Sequence, residues 1–595
     1  MSRPSVTRRT AIASAVAATL AAGIVPVTAA DAAVPPAPRG WVESTIARMT
    51  LEEKVGQLFV QHLYGATADT PRQENVDLYG VATPREVIQK YHLGGAIYFA
   101  WTDSVNNPQQ IAGLSNGLQN AALTSDAKVD IPLVVAIDQE GGLVTRIGPP
   151  ATQFPGSMAL GAGGSTDNAR AAARITGEEL KAMGVNFNYA PVADVNVNPL
   201  NPVIGVRAFG SDPGQVSDMV GAQVMGYQDD AGISAAAKHF PGHGDTDTDS
   251  HVAFPIINHT KEEWEELDAP PFREAVARGT DIIMTAHVNF PALDDSGDPA
   301  TVSKPVITGL LREELGYKGV VVSDALRMEG ARQKYGDEEL AVRALEAGVD
   351  LLLMTESMDV SFNSIVDAVQ SGRISKQELD DKLRRILSLK HKRGLVTDPY
   401  VDVAAVSSKV GTPENLAAAA TITDATNTLI KNDDGVLPMA VGGKKVLVTG
   451  FGVSTTADLA SELAERGAAT TVRQTGTSPS AATIAATVAA TEGQDAVVVL
   501  TNRAWTSTAQ QRLVKQLLAT GKPVVVVAVR DPYDIAHFTE APTYLATYSY
   551  APVSPPSLAR VLTGEVAPTG KLPVTIPTAA DPDVALYPLG HGLTY

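Results

Sequence analysis

The stretch ISAAAKHF, residues 233–240, decides the fold, because an apolar run of strand length ends at once in Lys238 and His239. A continuous apolar run without alternation is typical of a strand that is buried on both faces of a parallel sheet. Polar side chains that close such a strand lie at the carboxyl edge of the sheet, where α/β proteins bind their ligands. The segment therefore predicts both a buried parallel sheet and a polar site at its edge.

Seven other runs of the same kind surround this segment in the first 360 residues. Stretches of helical composition that end at glycine separate them, for example residues 168–184 and 336–348. Eight strand–helix units in order predict an α/β fold of the TIM-barrel type, a (β/α)8 barrel. The seven runs are VGQLFVQ (55–61), GGAIYF (94–99), PLVVAID (132–138), VNFNYAP (185–191), DIIMTAHV (281–288), GVVVSDA (319–325) and VDLLLM (349–354).

Polar residues fall repeatedly at the ends of these runs. Asp138 closes the third run, Lys238 and His239 close the fifth, and Asp324 closes the seventh. Enzymes with this barrel carry their functional residues on the strand ends and the loops that follow them. His287 closes the sixth run, where a pocket residue and a satisfied core histidine are equally acceptable interpretations.

The chain that follows the fifth run, KHFPGHGDTDTDSH (238–251), holds three of the ten histidines of the protein. This is too many titratable groups for a core strand and too few apolar ones for a helix. The segment predicts a site that handles protons and binds a polar ligand. His243 lies between two glycines, which favours a role in shaping the loop. The acids of GDTDTD lack the full ligand spacing of a calcium-binding loop, so no metal is expected.

Composition excludes several classes of function. The net charge of -19, with no basic block to offset it, argues against nucleic acid and anionic membrane surfaces as partners. The chain has no cysteine, which excludes disulfides, thiolate zinc sites and a cysteine nucleophile. A small-molecule substrate, no cofactor, no stable membrane insertion and a monomer are expected.

The first 32 residues have the pattern of an export signal. A basic start with adjacent Arg8 and Arg9 precedes an Ala-rich apolar run, and Ala30-Asp31-Ala32 is a small-x-small cleavage pattern. The paired arginines favour the twin-arginine route, and a Sec signal remains the alternative. We expect a secreted, extracellular protein.

A second αβ unit follows the barrel. The sequence predicts a catalytic barrel over residues 41–395, a linker over 396–412 and an αβα sandwich domain over 413–595 with an open, doubly wound sheet. Gly450-Phe451-Gly452 follows one of its strands but lacks the third glycine and acidic partner of a dinucleotide site. The predicted strands of this domain are KKVLVTGF (444–451), DAVVVLTN (495–502), KPVVVVAVR (522–530) and TYLATYSY (543–550).

Six separated motifs resemble those of glycoside hydrolase family 3, in its NagZ-type β-N-acetylglucosaminidase branch. They occur in the order of that family and span nearly the whole chain after the export signal. One departure is Leu143, at a position where many relatives carry arginine. The motifs are DQEGGLVTR (138–146), NPVIGVRAFG (201–210), KHFPGHGDTDTDSH (238–251), SDALRM (323–328), PTGKLPVTIP (568–577) and YPLGHGLTY (587–595).

Asp324 is the candidate nucleophile, since a carboxylate at a barrel rim is placed to attack an anomeric carbon. From the residues alone, a helix N-cap is an equally good interpretation, because a helix could begin at Ala325. The resemblance favours the nucleophile. It also implies that His251, paired with Asp249, replaces the usual second carboxylic acid as general acid/base. A hydrogen-bonded aspartate suits that role, because it fixes the histidine tautomer and stabilises the imidazolium.

The resemblance further implies the residues that bind the sugar. Asp138 would accept hydrogen bonds from sugar hydroxyls, and Arg146 and Arg207 would donate to the same subsite. Lys238 and His239 would bind the outer hydroxyls. Charged groups suit this work because hydrogen bonds to ions are stronger than neutral ones.

The implied function is a retaining exo-β-N-acetylglucosaminidase that acts on peptidoglycan fragments or chitooligosaccharides. Three alternatives remain open at the level of sequence. The same scaffold could act as a phosphorylase, with phosphate in place of water, or as a β-glucosidase. A non-catalytic sugar-binding protein could also retain the fold.

Overall fold

The computed structural model describes residues 39–249 and 253–595. The predicted export signal over residues 1–32 lies outside the described residues, and so does His251. Within the described part of the chain, no helix is both long enough and apolar enough to cross a lipid bilayer.

Eight parallel strands form the barrel, and each coincides with one of the eight predicted runs, although the first strand extends one residue beyond its run, to His62. Neighbours in sequence are neighbours in the sheet from β1 to β7, and β8 pairs with β1. The ring closes between β7 and β8 through a bridge between Val322 and Leu351. The strands are β1 (Phe59–His62), β2 (Gly95–Ile97), β3 (Val134–Ile137), β4 (Phe187–Asn188), β5 (Ser234–Phe240), β6 (Ile282–Thr285), β7 (Val320–Val322) and β8 (Leu352–Leu353).

Helices surround this sheet and connect its strands. Several begin at a threonine or serine whose side chain accepts from the third helical amide, with a glutamate there reaching back, as at Thr50, Thr83, Thr260 and Ser375. The helices are α1 (Arg39–Arg48), α2 (Leu51–Gly56), α3 (Gln73–Tyr79), α4 (Pro84–Tyr91), α5 (Pro108–Leu123), α6 (Ser157–Gly163), α7 (Thr166–Ala182), α8 (Pro213–Met225), α9 (Lys261–Leu267), α10 (Ala269–Ala277), α11 (Glu329–Arg332), α12 (Asp337–Ala347), α13 (Met358–Gln370) and α14 (Lys376–Lys392).

A second sheet of six strands follows, in the spatial order β11-β10-β12-β13-β14-β9. Five strands are parallel, and β9 is antiparallel to β14. A short ribbon of β15 (Ile576–Pro577) and β16 (Ala585–Tyr587) closes the chain. The other elements are α15 (Pro413–Asp424), β9 (Thr428–Asn432), β10 (Lys445–Gly450), α16 (Val453–Glu465), β11 (Ala469–Gln474), α17 (Ala481–Ala489), β12 (Ala496–Thr501), α18 (Thr508–Leu518), β13 (Val524–Ala528), β14 (Thr543–Ala546) and α19 (Ser554–Thr563).

Both faces of the second sheet are covered. Alternate residues of β12 enter different apolar clusters, with Val497 and Val499 on one face and Val498 and Leu500 on the other. The first of these clusters also contains Met158, Ala159 and Ala162 of α6 and Val206, all from the barrel half of the chain. We call it the shared cluster, because residues of both halves build it.

The predicted fold class, a TIM-type barrel followed by a smaller αβα domain, is confirmed. The second sheet has two more strands than the sequence predicted. Strand β11 is one of them, and it lies at a sheet edge with an ATTVRQ sequence that is largely exposed. Strand β9, TLIKN, forms the other edge. Edge strands are short and partly polar, so they lack the apolar run by which the central strands are recognised.

Candidate active site

A cavity of about 460 Å³ opens at the carboxyl end of the barrel strands, within the usual size range of small-ligand sites. Its floor includes strand residues Ile97, Met284 and Leu353, and its walls come from the loops that follow the strands. Because side chains fill the interior of such a barrel, the cavity ends blindly in the core. Its polar lining consists of Asp138, Glu140, Arg146, Arg207, Lys238, His239, His243, Asp324 and Arg327.

Lys238 lies at the centre of this polar wall and is 2% exposed. Its ammonium nitrogen is 2.8 Å from Asp138 Oδ1 and 2.6 Å from Glu140 Oε1. Burial alone would lower the pKa of Lys238, but the two carboxylates outweigh it and hold the pKa above its usual range. Arg146 approaches the other oxygen of Asp138 at 3.7 Å. The wall therefore presents a buried ammonium group that is fixed between two carboxylate groups.

Arg207 forms a bidentate ion pair with Glu140. Its Nε and Nη2 atoms donate to the two carboxylate oxygens at 2.9 and 2.8 Å. Burial favours the neutral form of Glu140, but Arg207 and Lys238 together hold its pKa well below the usual range. Glu140 thus keeps two cations in place and stays ionised itself.

The tautomer of His239 follows from its two partners. Arg207 Nη2 lies 3.3 Å from His239 Nε2, and an arginine only donates, so Nε2 must accept. The proton is then on Nδ1, which donates to Asp194 Oδ2 at 2.7 Å. Asp194 also accepts from the backbone amides of His239 and His243, at 3.1 and 2.8 Å. His239 is therefore held rigidly, with both ring nitrogens engaged.

Asp324 lies in the same cavity, two residues after β7 ends. Its Oδ1 accepts from the amide of Ala325 at 2.7 Å. The loop is tied to the β8 side of the barrel by the amides of Leu326 and Arg327, which donate to the carbonyls of Leu353 and Met354. The next helix begins only at Glu329, so the N-cap interpretation of Asp324 is wrong.

His287 supports this loop from inside the barrel. It is fully buried, and its Nε2 lies 3.0 Å from the carbonyl oxygen of Ala325. A carbonyl only accepts, so His287 donates this hydrogen bond. The contact fixes the residue directly after Asp324.

An aromatic wall stands beside the polar one. Trp101 is half exposed and stacks on Phe99, with ring centroids 5.0 Å apart. The guanidinium of Arg146 lies over the ring of Phe99, 5.2 Å from its centroid. Aromatic faces of this kind pack against the apolar faces of sugar rings.

The structure brings together six of the eight residues predicted for the site: Asp138, Arg146, Arg207, Lys238, His239 and Asp324 all line the cavity. Asp249 lies on the loop that leaves the cavity after His243 and is partly exposed. His251 lies outside the described residues. Among the residues that the structure describes, no cluster of histidine and acidic side chains could hold a metal ion.

Two residues of the site were missed from the sequence. Glu140 follows Asp138 by two positions, and side chains two apart in extended backbone share a face, so the DQE spacing was a usable signal. Asp194 lies in the loop after β4, three residues beyond the run 185–191, so no polar residue at the end of that run marks it.

Comparison with known proteins decides the family. Residues 50–389 match the Glycosyl hydrolase family 3 N terminal domain, and residues 427–595 match the C-terminal domain of the same family. The chain belongs to glycosyl hydrolase family 3. The resemblance inferred from the motifs is confirmed, and with it the glycoside hydrolase class of this enzyme. The non-catalytic alternative is therefore dropped.

Three relatives illustrate where this family 3 chain lies. A β-N-acetylglucosaminidase structure from Paenibacillus sp. str. FPU-7 is 38% identical, with a TM-score of 0.80 over 89% of this chain and 99% of the other. Beta-hexosaminidase A of Pseudoalteromonas piscicida is 39% identical over 60% of this chain, a match that spans 62% of that protein's own length. The Beta-N-acetylglucosaminidase/beta-glucosidase of Cellulomonas fimi is 28% identical over 90% of this chain and 95% of its own.

His259, which lies outside the six motifs, holds the start of the GDTDTD loop of this family 3 enzyme. His259 Nε2 lies 2.9 Å from Asp245 Oδ2, and its Nδ1 lies 2.7 Å from Asp268 Oδ2. The hydrogen bonds to Asp245 and Asp268 raise the pKa of His259 to about 10. A charged imidazolium therefore ties the loop to the barrel.

This tie predicts a pH dependence of stability. A histidine whose pKa is raised on folding stabilises fully below its unfolded pKa of about 6.5 and loses that effect as the pH rises through the folded value. The difference in unfolding free energy between wild type and His259→Gln should shrink as the pH rises from about 6.5 towards 10. Urea unfolding at several pH values measures it. A difference that does not vary with pH contradicts the charged tie.

Proposed function

We propose that this enzyme is a retaining exo-β-N-acetylglucosaminidase that removes terminal, non-reducing N-acetylglucosamine. The observation that carries the proposal is the presence of Asp324 in the same cavity as the Lys238–Asp138–Glu140–Arg207 network. That network offers charged donors and acceptors to sugar hydroxyls, and Asp324 offers a carboxylate at a strand end.

The blind end of the cavity supports exo action. A chain terminus can enter a pocket whose floor is the barrel core, whereas the middle of a polymer cannot. Met284, Leu353 and Met354 line the cavity beside the charged groups and give it an apolar surface that suits an acetamido methyl group. The name of the Paenibacillus relative, a β-N-acetylglucosaminidase at 38% identity, supports the same specificity.

The proposed reaction has two displacements. An oxygen of Asp324 attacks the anomeric carbon and forms the glycosyl ester, while the bond to the aglycone oxygen breaks and that oxygen takes a proton from His251. His251 then takes a proton from water, whose oxygen attacks the anomeric carbon and releases Asp324. Asp249 would hold the histidine in its working tautomer and stabilise the imidazolium. No cofactor takes part.

We propose further that the enzyme works outside the cytoplasm, on the basis of the signal pattern in residues 1–32. There its substrates would be fragments of peptidoglycan or chitooligosaccharides. Soluble fragments suit a pocket that accepts chain ends better than an intact polymer does.

The test is an assay of p-nitrophenyl N-acetyl-β-D-glucosaminide and the matching glucoside, each with and without inorganic phosphate. We expect the N-acetylated substrate to be preferred and free N-acetylglucosamine of retained β configuration to appear first, with or without phosphate. The anomer is read by NMR within the first turnovers. Sugar 1-phosphate in place of free sugar would make the enzyme a phosphorylase, and a preference for the glucoside would make it a β-glucosidase.

A further inference from the structure

The loop between β4 and α8, residues 189–212, carries Arg207 into the cavity and contacts the second domain as well as the barrel. Its backbone amide at Ser211 donates to the carbonyl of Pro573 at 2.9 Å. Near its other end, Asn196 Nδ2 donates to the hydroxyl of Tyr533 at 3.3 Å. Two points on either side of Arg207 are thus fixed by residues more than three hundred positions later in the chain.

Between these two points, Gly205 lies against Asp531 of the second domain. The glycine has a φ of 45°, and a Cβ placed on it would lie 3.1 Å from Asp531 Oδ1. Asp531 is 4% exposed and stands between two arginines, Arg503 at 3.5 Å and Arg530 at 3.7 Å. Only a residue without a side chain fits this contact comfortably.

Apolar packing reinforces the contact. Val206, directly before Arg207, is 6% exposed and belongs to the shared cluster together with Tyr533 and Leu572 of the second domain. Leu143 packs against the same cluster, and it lies in the segment between Asp138 and Arg146. The position where many relatives carry arginine is therefore used here for packing against the second domain.

Arg207 in turn holds two residues of the sugar-binding wall, Glu140 and His239. It pairs with Glu140 through two hydrogen bonds and donates to His239, so a shift of its loop would displace both. Charged networks of this kind depend on geometry to within a fraction of an ångström.

We propose that the second domain positions Arg207 in the sugar-binding wall, with Val206 and Tyr533 as positioning residues. The second domain would thereby contribute to sugar binding without contacting the substrate itself. The inference rests on the proposed function of the cavity and assigns the second domain a part in it. Because sugar hydroxyls are bound in both the ground state and the transition state, loss of positioning should raise KM more than it lowers kcat.

The test compares Val206→Ala with Val524→Ala. Val524 is 1% exposed and belongs to the same cluster. It lies at the amino-terminal end of β13, whereas Asp531 follows the carboxyl end of that strand. Both variants should lower the melting temperature by a few degrees. We expect Val206→Ala alone to raise KM about tenfold, the effect of losing one hydrogen bond to a charged group, with kcat within about threefold of wild type.

Tyr533→Phe keeps the ring in the cluster and removes only the acceptor of Asn196, so it tests the contact with little risk to folding. It should raise KM severalfold. Wild-type KM in both Val206→Ala and Tyr533→Phe would overturn the proposal, and so would equal rises in KM for Val206→Ala and Val524→Ala.

Failure of the proposed function is distinguishable from failure of this inference. A wild-type enzyme that turns over no N-acetylglucosaminide rejects the function. In that case, the affinities of wild type and variants for free N-acetylglucosamine, measured by calorimetry, still test the positioning of Arg207. A wild type that turns over normally beside variants with unchanged KM rejects only the positioning.

Discussion

Asp324→Asn should abolish turnover, lowering kcat/KM on p-nitrophenyl N-acetyl-β-D-glucosaminide by about 10⁴-fold or more, the scale of losing a covalent nucleophile. An amide has nearly the shape of the carboxylate but cannot form the glycosyl ester. The fold should survive, because Oδ1 can still accept from the amide of Ala325. An unchanged melting temperature beside lost activity is the expected pair of results.

The control for this variant is Asp69→Asn, which makes the same chemical change at an exposed surface aspartate paired with Arg85. It should leave kcat/KM unchanged. A second measurement is the mass of the enzyme during turnover of a slow fluorinated donor, where the adduct should lie on the peptide that contains Asp324. Turnover by Asp324→Asn at more than a tenth of the wild-type rate contradicts the assignment. An adduct on another residue does the same.

His251→Ala should show a loss that depends on the leaving group. General acid catalysis contributes about 10²–10⁴-fold when the departing oxygen is basic, as in chitobiose. A p-nitrophenolate leaves without a proton, so the glycosylation step should suffer far less with the aryl substrate. The measurement is kcat/KM on both substrates, because this parameter reports the steps up to the first irreversible one.

Azide gives an independent readout for His251→Ala. An anion needs no general base, so azide should accelerate release of the glycosyl-enzyme and yield the glycosyl azide. His391→Ala, at a partly exposed histidine whose ring lies 6.0 Å from that of Trp41, is the matched control and should behave as wild type. Equal losses on the two substrates would remove His251 from the acid/base role.

The barrel could be predicted because its strands are buried on both faces. Runs such as residues 132–138 are apolar up to the polar residue that ends them, and that residue marks the carboxyl edge without knowledge of tertiary contacts. The edge strands of the second sheet do not have this signal. Strand β11 exposes Val472 and alternates it with polar residues, so its strand character depends on pairing with β10.

The site was predicted where the chemistry lies within one motif and missed where it lies between motifs. Asp138, Lys238 and Asp324 stand at strand ends and are recognisable singly. Asp194 and His259 act through partners that are 45 and 14 residues away in the chain, respectively, and such pairings are fixed only by folding. The contact of Val206 with the second domain is of the same kind, because nothing in its local sequence separates it from an ordinary core valine.

The locked tautomer of His239 has a consequence for how this enzyme can diversify. With Nδ1 donating to Asp194 and Nε2 accepting from Arg207, both ring nitrogens are engaged by the protein and neither is left to exchange a proton with a substrate. Under the proposed function, sugar recognition by the wall around Lys238 and proton delivery by His251 would therefore reside in separate parts of the chain. Substitutions beyond Asp245 would then alter the response to pH or to the leaving group without altering the residues proposed to bind the sugar.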